Sequence, residues 1–245
     1  MTNSVGAVVV AAGSGDRFGA ALPKALVELA GRPLVRWAVE AIVGAGVLQV
    51  VVAAPAGHLE DVTAALADVV DANIVVVEGG QSRSASVRLA LHALAPLPEV
   101  VLVHDAARAM MPVHIIASVI AAIGGDVLAA APGLAVVDTL KRVGSDGTIR
   151  STIDRSGAWA VQTPQVFTFD LLKAVHAWAG DRDATDDLAL FEDAVAAGAV
   201  RGRAVMVQGH PDGAKITYAQ DLERAALHLR RTPEQPGSPA PEGPT

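Results

Sequence analysis

The sequence contains no cysteine. That excludes a disulfide framework, thiolate zinc sites, iron–sulfur clusters and a cysteine nucleophile, and it fits a reducing compartment. Nor is there a basic excess: 26 acidic side chains outnumber 19 lysines and arginines, for a net charge of −7. The bases are scattered rather than gathered into a stripe. This argues against a nucleic-acid partner while leaving room for a local anion pocket. The leading apolar run, Val5–Ala12, is too short to span a bilayer and stops at Gly13-Ser14-Gly15-Asp16-Arg17. It also lacks the basic lead-in and length of a signal peptide, so a cytoplasmic chain without membrane contact is expected. No repeat at a solenoid period is present, and the P-loop pattern is missing.

What is there is 245 residues, 51% hydrophobic, enough for one large domain that buries a core without staples. Much of the apolar content is alanine and valine. Continuous apolar runs at Val5–Ala12, Leu48–Ala53, Asn73–Val77, Glu99–Val103 and Val127–Ala131 read as strands buried on both faces. Between them, helical spacing marks Pro33–Gly44, His58–Val69, Ser82–Ala95, with Ser82 as N-cap, and Pro112–Ile123. Strands alternating with helices imply an α/β fold: right-handed βαβ units making a Rossmann-like, mostly parallel sheet with helices on both faces.

The rhythm changes near Pro132. Val136–Val143, Ser145-Asp146-Gly147 and Ile149–Ile153 form a hairpin pattern around an Asp-Gly turn. It is too polar for a central strand and reads as a β-hairpin arm over 135–156, projecting from the domain and suited to reach a partner subunit. Helices are expected again at Phe169–Ala179, Asp186–Ala197 and Ala219–Arg230, with a strand at Ala204–Val207. The single domain therefore runs over 1–231. The remaining residues, 232–245, are rich in proline and are expected to be disordered.

Chemistry-bearing residues cluster at strand ends. The first strand runs into Ala11-Ala12-Gly13-Ser14-Gly15-Asp16-Arg17-Phe18-Gly19, then Pro23-Lys24. Glycines let a backbone bend round an anion and aim its N–H groups inward, and ligand crevices of open α/β sheets lie at this end of the strands. With Arg17 and Lys24 the loop describes a polyphosphate cradle; an ordinary tight turn bearing surface cations is the plainer alternative. A dinucleotide fingerprint would need its third glycine one residue earlier. A second strand ends in His104-Asp105-Ala106-Ala107-Arg108. There Asp105 can hold Mg²⁺, a hard cation suited to carboxylate and phosphate oxygens, and Arg108 either binds phosphate or orients Asp105. A structural ion pair is equally compatible, and His104 reads as a packed histidine without a catalytic role. Gly79-Gly80-Gln81-Ser82-Arg83-Ser84-Ala85-Ser86 either reads a base and ribose or merely caps a helix. Thr185-Asp186-Asp187 reads as a helix cap, and Asp212-Gly213-Ala214-Lys215-Ile216-Thr217 adds a late acid and base.

Taken in order, these segments resemble the 2-C-methyl-D-erythritol 4-phosphate cytidylyltransferases from Val5 to Arg230. The Ala-Ala-Gly-x-Gly-x-Arg loop with Pro-Lys is shared by many nucleotidyltransferases. His-Asp-Ala-Ala-Arg, Asp-Thr-Leu-Lys-Arg (138–142), Thr-Pro-Gln (163–165) and Lys-Ile-Thr (215–217) narrow the resemblance. It implies that Ala11, Ala12, Gly13 and Gly15 contact CTP through their backbone. Arg17 and Lys24 would bind its phosphates, and Gly80, Arg83 and Ser86 would surround cytosine and ribose. Asp105 would lie near Mg²⁺ and both substrates, with Arg108 beside it. Thr139 and Arg155 would hold methylerythritol phosphate across a homodimer built through the arm, and Thr163, Thr185, Asp212 and Lys215 would complete the pocket. Arg17, Lys24 and Lys215 would be the catalytic cations. Two departures are Ala25 after Pro-Lys and Gly213-Ala214 before the late lysine. The alternatives are a ribitol 5-phosphate cytidylyltransferase, an NAD-dependent oxidoreductase and a non-catalytic nucleotide sensor.

Overall fold

The computed structural model describes residues 4–13 and 22–231. Gly15, Arg17 and the proline-rich tail lie outside the described residues. In chain order the elements are β1 (Val5–Val10), a 3₁₀ turn (Lys24–Leu26), β2 (Glu28–Leu29), β3 (Arg32–Pro33), α1 (Leu34–Gly44), β4 (Gln49–Ala54), α2 (Leu59–Leu66), β5 (Asn73–Glu78), α3 (Arg83–His92), β6 (Val100–Asp105) and α4 (Val113–Ala121). The second half has β7 (Val127–Ala135), β8 (Leu140–Val143), β9 (Ile149–Ile153), β10 (Trp159–Val161), β11 (Gln165–Thr168), α5 (Phe169–Ala179), α6 (Asp187–Ala196), β12 (Arg203–Gln208), a second 3₁₀ turn (Pro211–Gly213) and α7 (Ala219–Arg231).

Eight strands form the main sheet. Seven run in the order β10-β7-β11-β6-β1-β4-β5, and β12 pairs with β7. The pairs β1–β4, β1–β6, β4–β5 and β12–β7 are parallel, as the βαβ pattern requires. Because strand side chains alternate between faces, each central strand feeds two cores. Ala7, Val9, Val50, Val52 and Leu102 pack with Val35, Val39, Ile42 and Ile116 of α1 and α4 on one face. Val8, Val51, Val101 and Val103 pack with Val87, Ala90, Leu172 and Leu190 of α3, α5 and α6 on the other. Covering both faces explains the uninterrupted apolar runs of these strands.

Two strands escape the sequence pattern. β11 lies antiparallel between β6 and β7, pairing Gln165 with Val103 and Phe167 with Ala129. β10 lies antiparallel to the end of β7, pairing Trp159 with Ala135. Pro132 does not end its strand: β7 continues through it to Ala135, because its neighbours there are β10 and β12. The hairpin arm is present as a separate two-stranded sheet, β8–β9, with Leu140 opposite Ile153. Its first strand starts at Leu140 rather than Val136. Gly147 takes φ +78° in the turn, a left-handed conformation that glycine adopts without a Cβ penalty. The root of the arm is zipped. Beyond the Trp159–Ala135 pair, the Val136 amide donates to the Ala158 carbonyl at 3.0 Å, and Arg155 Nη1 donates to the Val136 carbonyl at 2.8 Å. Among the described residues no helix is long and apolar enough to cross a membrane.

Candidate active site

Parallel strands β1, β4, β5 and β6 end at the same edge of the sheet, and their loops enclose a cavity of about 480 Å³. That lies within the usual range of about 300–1,000 Å³ for small-molecule sites. Hydrogen bonds just beyond the strands fix the floor: the amide of Ala11 donates to the Ala53 carbonyl at 2.9 Å, Gly79 to Ala54 at 2.8 Å, and Ala106 to Val10 at 3.1 Å. Ala11, Ala12 and Gly13 therefore reach the cavity wall, as do Lys24, Gly80, Arg83, Ser86, Asp105 and Lys215.

Each side is held by local chemistry. Ser82 has extended φ/ψ and its hydroxyl accepts from the Ala85 amide at 3.2 Å, capping α3. Ser86 Oγ accepts from the Gly80 amide at 3.0 Å and donates to the Ser82 carbonyl at 2.8 Å. A Cβ on Gly80 would meet the Ala85 carbonyl carbon at 2.9 Å, so this turn closes only without a side chain there. Lys215 arrives from the late loop, which is tied down by the Ile216 amide donating to the Ala107 carbonyl at 2.8 Å.

The electrostatic centre is Asp105. Lys215 Nζ lies 2.7 Å from its Oδ2, and Arg83 Nε lies 3.3 Å from its Oδ1. Burial pushes the Asp105 carboxyl up, but Arg83 and then Lys215 outweigh that and hold it well below the usual carboxylate range. Behind Arg83 stands Asp187, fully buried, with Oδ2 2.7 Å from Arg83 Nη1 and Oδ1 2.8 Å from His176 Nε2. Burial alone would lower the Arg83 pKa; Asp187 and Asp105 more than offset it, so Arg83 stays charged. The sequence reading saw Asp187 only as part of a helix cap. That cap belongs to Asp186, whose Oδ1 accepts from the Ala189 amide at 2.8 Å. The second, unneeded acid was the available signal.

Other sequence candidates stand elsewhere. Thr163 is buried beneath the cavity: its hydroxyl accepts from the Asp105 amide at 3.0 Å and lies 3.1 Å from His104 Nδ1. Arg108 is a clamp on the backbone, with Nη1 donating to the Gly213 carbonyl at 2.8 Å and Nη2 to Val161 at 3.2 Å. Asp212 lines a neighbouring 360 Å³ cavity under α7 that shares Lys215 with the first; its Oδ2 is 3.1 Å from His228 Nε2. Thr185 is exposed beside the α6 cap, and Thr139 and Arg155 are exposed around the arm. None of these six lines the 480 Å³ cavity of the single chain.

His104 is packed rather than reactive. Burial lowers its pKa to about 4, against about 6.5 for the unfolded chain. Between those values the unfolded chain binds the extra proton. Its contribution is complete above pH 6.5 and is lost as pH falls toward 4, by about 3 kcal/mol. Urea unfolding at pH 7 and pH 4.5 is expected to show this loss, and His104→Asn is expected to flatten it. An equal pH slope in the variant would contradict the assignment.

The family model described as IspD, 2-C-methyl-D-erythritol 4-phosphate cytidylyltransferase, matches residues 5–231. A protein of that name from Saccharopolyspora erythraea is 45% identical over 230 residues, covering 92% of this chain and 99% of its own. A Clavibacter michiganensis protein named bifunctional enzyme IspD/IspF is 44% identical over 90% of this chain, which spans only 53% of it. Among solved structures, the 2-C-methyl-D-erythritol 4-phosphate cytidylyltransferase of Thermus thermophilus is similar at 32% identity and TM-score 0.73, over 94% of this chain and 100% of its own. The 4-diphosphocytidyl-2C-methyl-D-erythritol synthase of Anaerococcus prevotii is similar at 26% identity and TM-score 0.79, over the same shares.

Proposed function

The chain belongs to the 2-C-methyl-D-erythritol 4-phosphate cytidylyltransferase family, and from that premise we infer that it transfers CMP from CTP to 2-C-methyl-D-erythritol 4-phosphate. The products are 4-diphosphocytidyl-2-C-methyl-D-erythritol and pyrophosphate, in isoprenoid precursor biosynthesis. The observation that carries the reading at the level of chemistry is the strand-end cavity whose wall holds Lys24, Arg83 and Lys215 together with Asp105, the one carboxylate among its described lining residues.

In the reaction an acceptor phosphate oxygen forms a bond to the α-phosphorus of CTP, and the bond from that phosphorus to the oxygen bridging to the β-phosphorus breaks. The acceptor is already an anion and needs no strong base. The difficulty is electrostatic: two anions must meet, and charge grows on departing pyrophosphate. Positioned cations answer both demands. We assign this work to Lys24 and Lys215, and to Arg17 in the adjoining glycine-rich loop. The Ala11–Gly13 backbone and Gly15 would face the triphosphate, with Gly80, Arg83 and Ser86 around the nucleoside. Thr163 would support the site from below by fixing the Asp105 amide.

The donor set fits one divalent cation bound mainly by substrate. Asp105 is the one carboxylate among the described residues lining the cavity, and no trio of acidic or histidine side chains gathers among the described residues. Each Asp105 oxygen takes hydrogen bonds from a single cationic side chain and keeps acceptor capacity. Asp105 would therefore hold Mg²⁺, with phosphate oxygens and water supplying the other ligands. When bound, the ion would neutralise phosphate charge.

The arm exposes Val137, Val143 and Ile149, and the chain's own cavity contains neither Thr139 nor Arg155. This supports a homodimer in which Thr139 and Arg155 reach the acceptor pocket of a second copy, while Thr185 and Asp212, with Thr163 and Lys215, would complete the pocket of their own chain. Arg155→Ala is expected to raise the KM for the acceptor at least tenfold while leaving the KM for CTP within twofold. Steady-state titration of each substrate checks this, and full activity from a sedimenting monomer would contradict it. Because the reaction draws on CTP, we place the chain in the cytoplasm.

The reaction itself is tested by pyrophosphate release with CTP and Mg²⁺. Methylerythritol phosphate is expected to give release and ribitol 5-phosphate none. The opposite pattern would retain the mechanism and overturn the acceptor; silence with both would overturn the reaction.

A further inference from the structure

Of the Thr163-Pro164-Gln165 segment, it is Thr163 that touches Asp105 directly. Gln165 opens β11 opposite Val103 of β6 and is fully buried. A primary amide is costly to bury unless its donors and acceptor are used. Here they are spent on the start of α6. Oε1 accepts from the amides of Asp187 and Leu188, each at 3.0 Å, and Nε2 donates to Asp186 Oδ2 at 2.9 Å. Turning the amide over would set its NH₂ group against two N–H groups and its oxygen against a carboxylate, so the hydrogen bonds fix its orientation. Asp186 Oδ1 takes the Ala189 amide. These two side chains thus satisfy the opening amides of α6, which a helix leaves without internal partners.

This lock fixes the backbone of Asp187, the first residue of α6. His176 Nε2 steadies its Oδ1 at 2.8 Å, and its Oδ2 lies 2.7 Å from Arg83 Nη1. Arg83 reaches Asp105 Oδ1 less closely, at 3.3 Å from Nε and 3.4 Å from Nη2. The tighter of its two carboxylate partners is therefore Asp187. A guanidinium is a rigid planar fork of N–H groups. Holding one prong fixes the plane, and with it the direction of the N–H groups that neither carboxylate takes. Arg83 stands in the wall of the 480 Å³ cavity. Thr163 and Gln165, two residues apart, thus reach Asp105 by two routes. One holds its amide; the other acts through Asp187 and Arg83 on its carboxylate.

We propose that Gln165 is a positioning residue for nucleotide binding: it fixes Asp187 at the start of α6, so that Arg83 presents its remaining N–H groups to the bound nucleotide. Gln165 lies outside the cavity wall and acts through these two side chains. The role rests on the reading of the cavity as the CTP site.

The test pairs calorimetric titration of the full chain with CTP and Mg²⁺ with NMR of the Arg83 Nε–H group in the ligand-free chain, assigned by its loss in Arg83→Lys. In Gln165→Glu one oxygen can still take the two amides, but the other meets Asp186 Oδ2 where a donor stood. The CTP dissociation constant is expected to rise about tenfold, the scale of one misplaced hydrogen bond to a charged group, and the Arg83 signal to move. Gln165→Glu/Asp186→Asn exchanges acid and amide and restores each bond of the lock, so both readouts are expected to return toward the parent. Gln165→Met, of similar volume, repeats the first comparison if Gln165→Glu does not fold. A merely structural role would lower the folded fraction and leave the dissociation constant of the folded chain and the Arg83 signal in place. That result overturns the proposal, as does a folded double variant that fails to recover. If the parent binds no CTP, the nucleotide reading fails, and the Arg83 signal still decides whether Gln165 positions this side chain.

Discussion

Lys24→Ala is expected to lower the turnover of pyrophosphate release by about 10²-fold or more, the usual scale for losing one preorganised group that meets developing charge. The lysine stands in the cavity wall, and its charge also helps to hold the Asp221 carboxyl below its ordinary range. It opens a 3₁₀ turn whose Ala25 and Leu26 are buried. The Leu26 amide donates to the Pro23 carbonyl at 2.9 Å and the Val27 amide to the Lys24 carbonyl at 3.1 Å. These backbone bonds survive truncation, so the turn should still fold while kcat collapses. Lys24→Met, which keeps the apolar stem, should be as slow as alanine. A Lys24→Ala enzyme with near-normal kcat would refute the role.

Asp187→Ala is expected to destabilise the fold by about 3–5 kcal/mol, because it strands the buried Arg83 guanidinium without its shortest ion pair and removes the partner of His176. The penalty comes from an uncompensated charge more than from the value of the pair. Hence Arg83→Met/Asp187→Leu, which removes both charges, should be clearly less destabilised than Asp187→Ala alone. Urea unfolding of the three proteins decides it. Equal stability of Asp187→Ala and the parent would show that Asp105 alone suffices for Arg83. The Asp187 carboxyl is pushed up by burial, yet Arg83 and His176 bring it below the ordinary range. Its stabilisation is therefore present above about pH 4, the unfolded value, and is lost only as the solution becomes strongly acidic.

The central strands were legible because their environment writes a simple rule into the sequence. β1, β4 and β6 are covered on both faces, so apolar residues run without alternation. β10 and β11 obey no such rule. β11 has Gln165 at its start and Thr168 at its end, and its place between β6 and β7 is decided by neighbours far away in sequence. In the site, Lys24, Asp105 and Lys215 were legible as charges at strand and loop ends, where an α/β sheet presents its ligands. The Arg83–Asp187 pair was not, since its partners are 104 residues apart and a local cap already accounts for the acid. Arg108 was noticed as a charge, but its partners are carbonyls of Gly213 and Val161, which carry no residue-type signal.

The zipped root of the arm has a mechanical consequence. A hairpin hung from two loose loops would sample many orientations, and a second copy would have to freeze them on association, at about 0.5–1.5 kcal/mol for each side chain immobilised. Here the outgoing and returning segments are laced together by Trp159–Ala135 pairing, the Ala158–Val136 bond and the Arg155 guanidinium. The aim of the arm is thus set by the twist of β7 before any encounter, and most of that orientational entropy is already lost in the monomer. The same lacing makes the arm a stiff lever. From its root the pairing runs on from β7 to β11 and from β11 to β6, the strand that ends in Asp105.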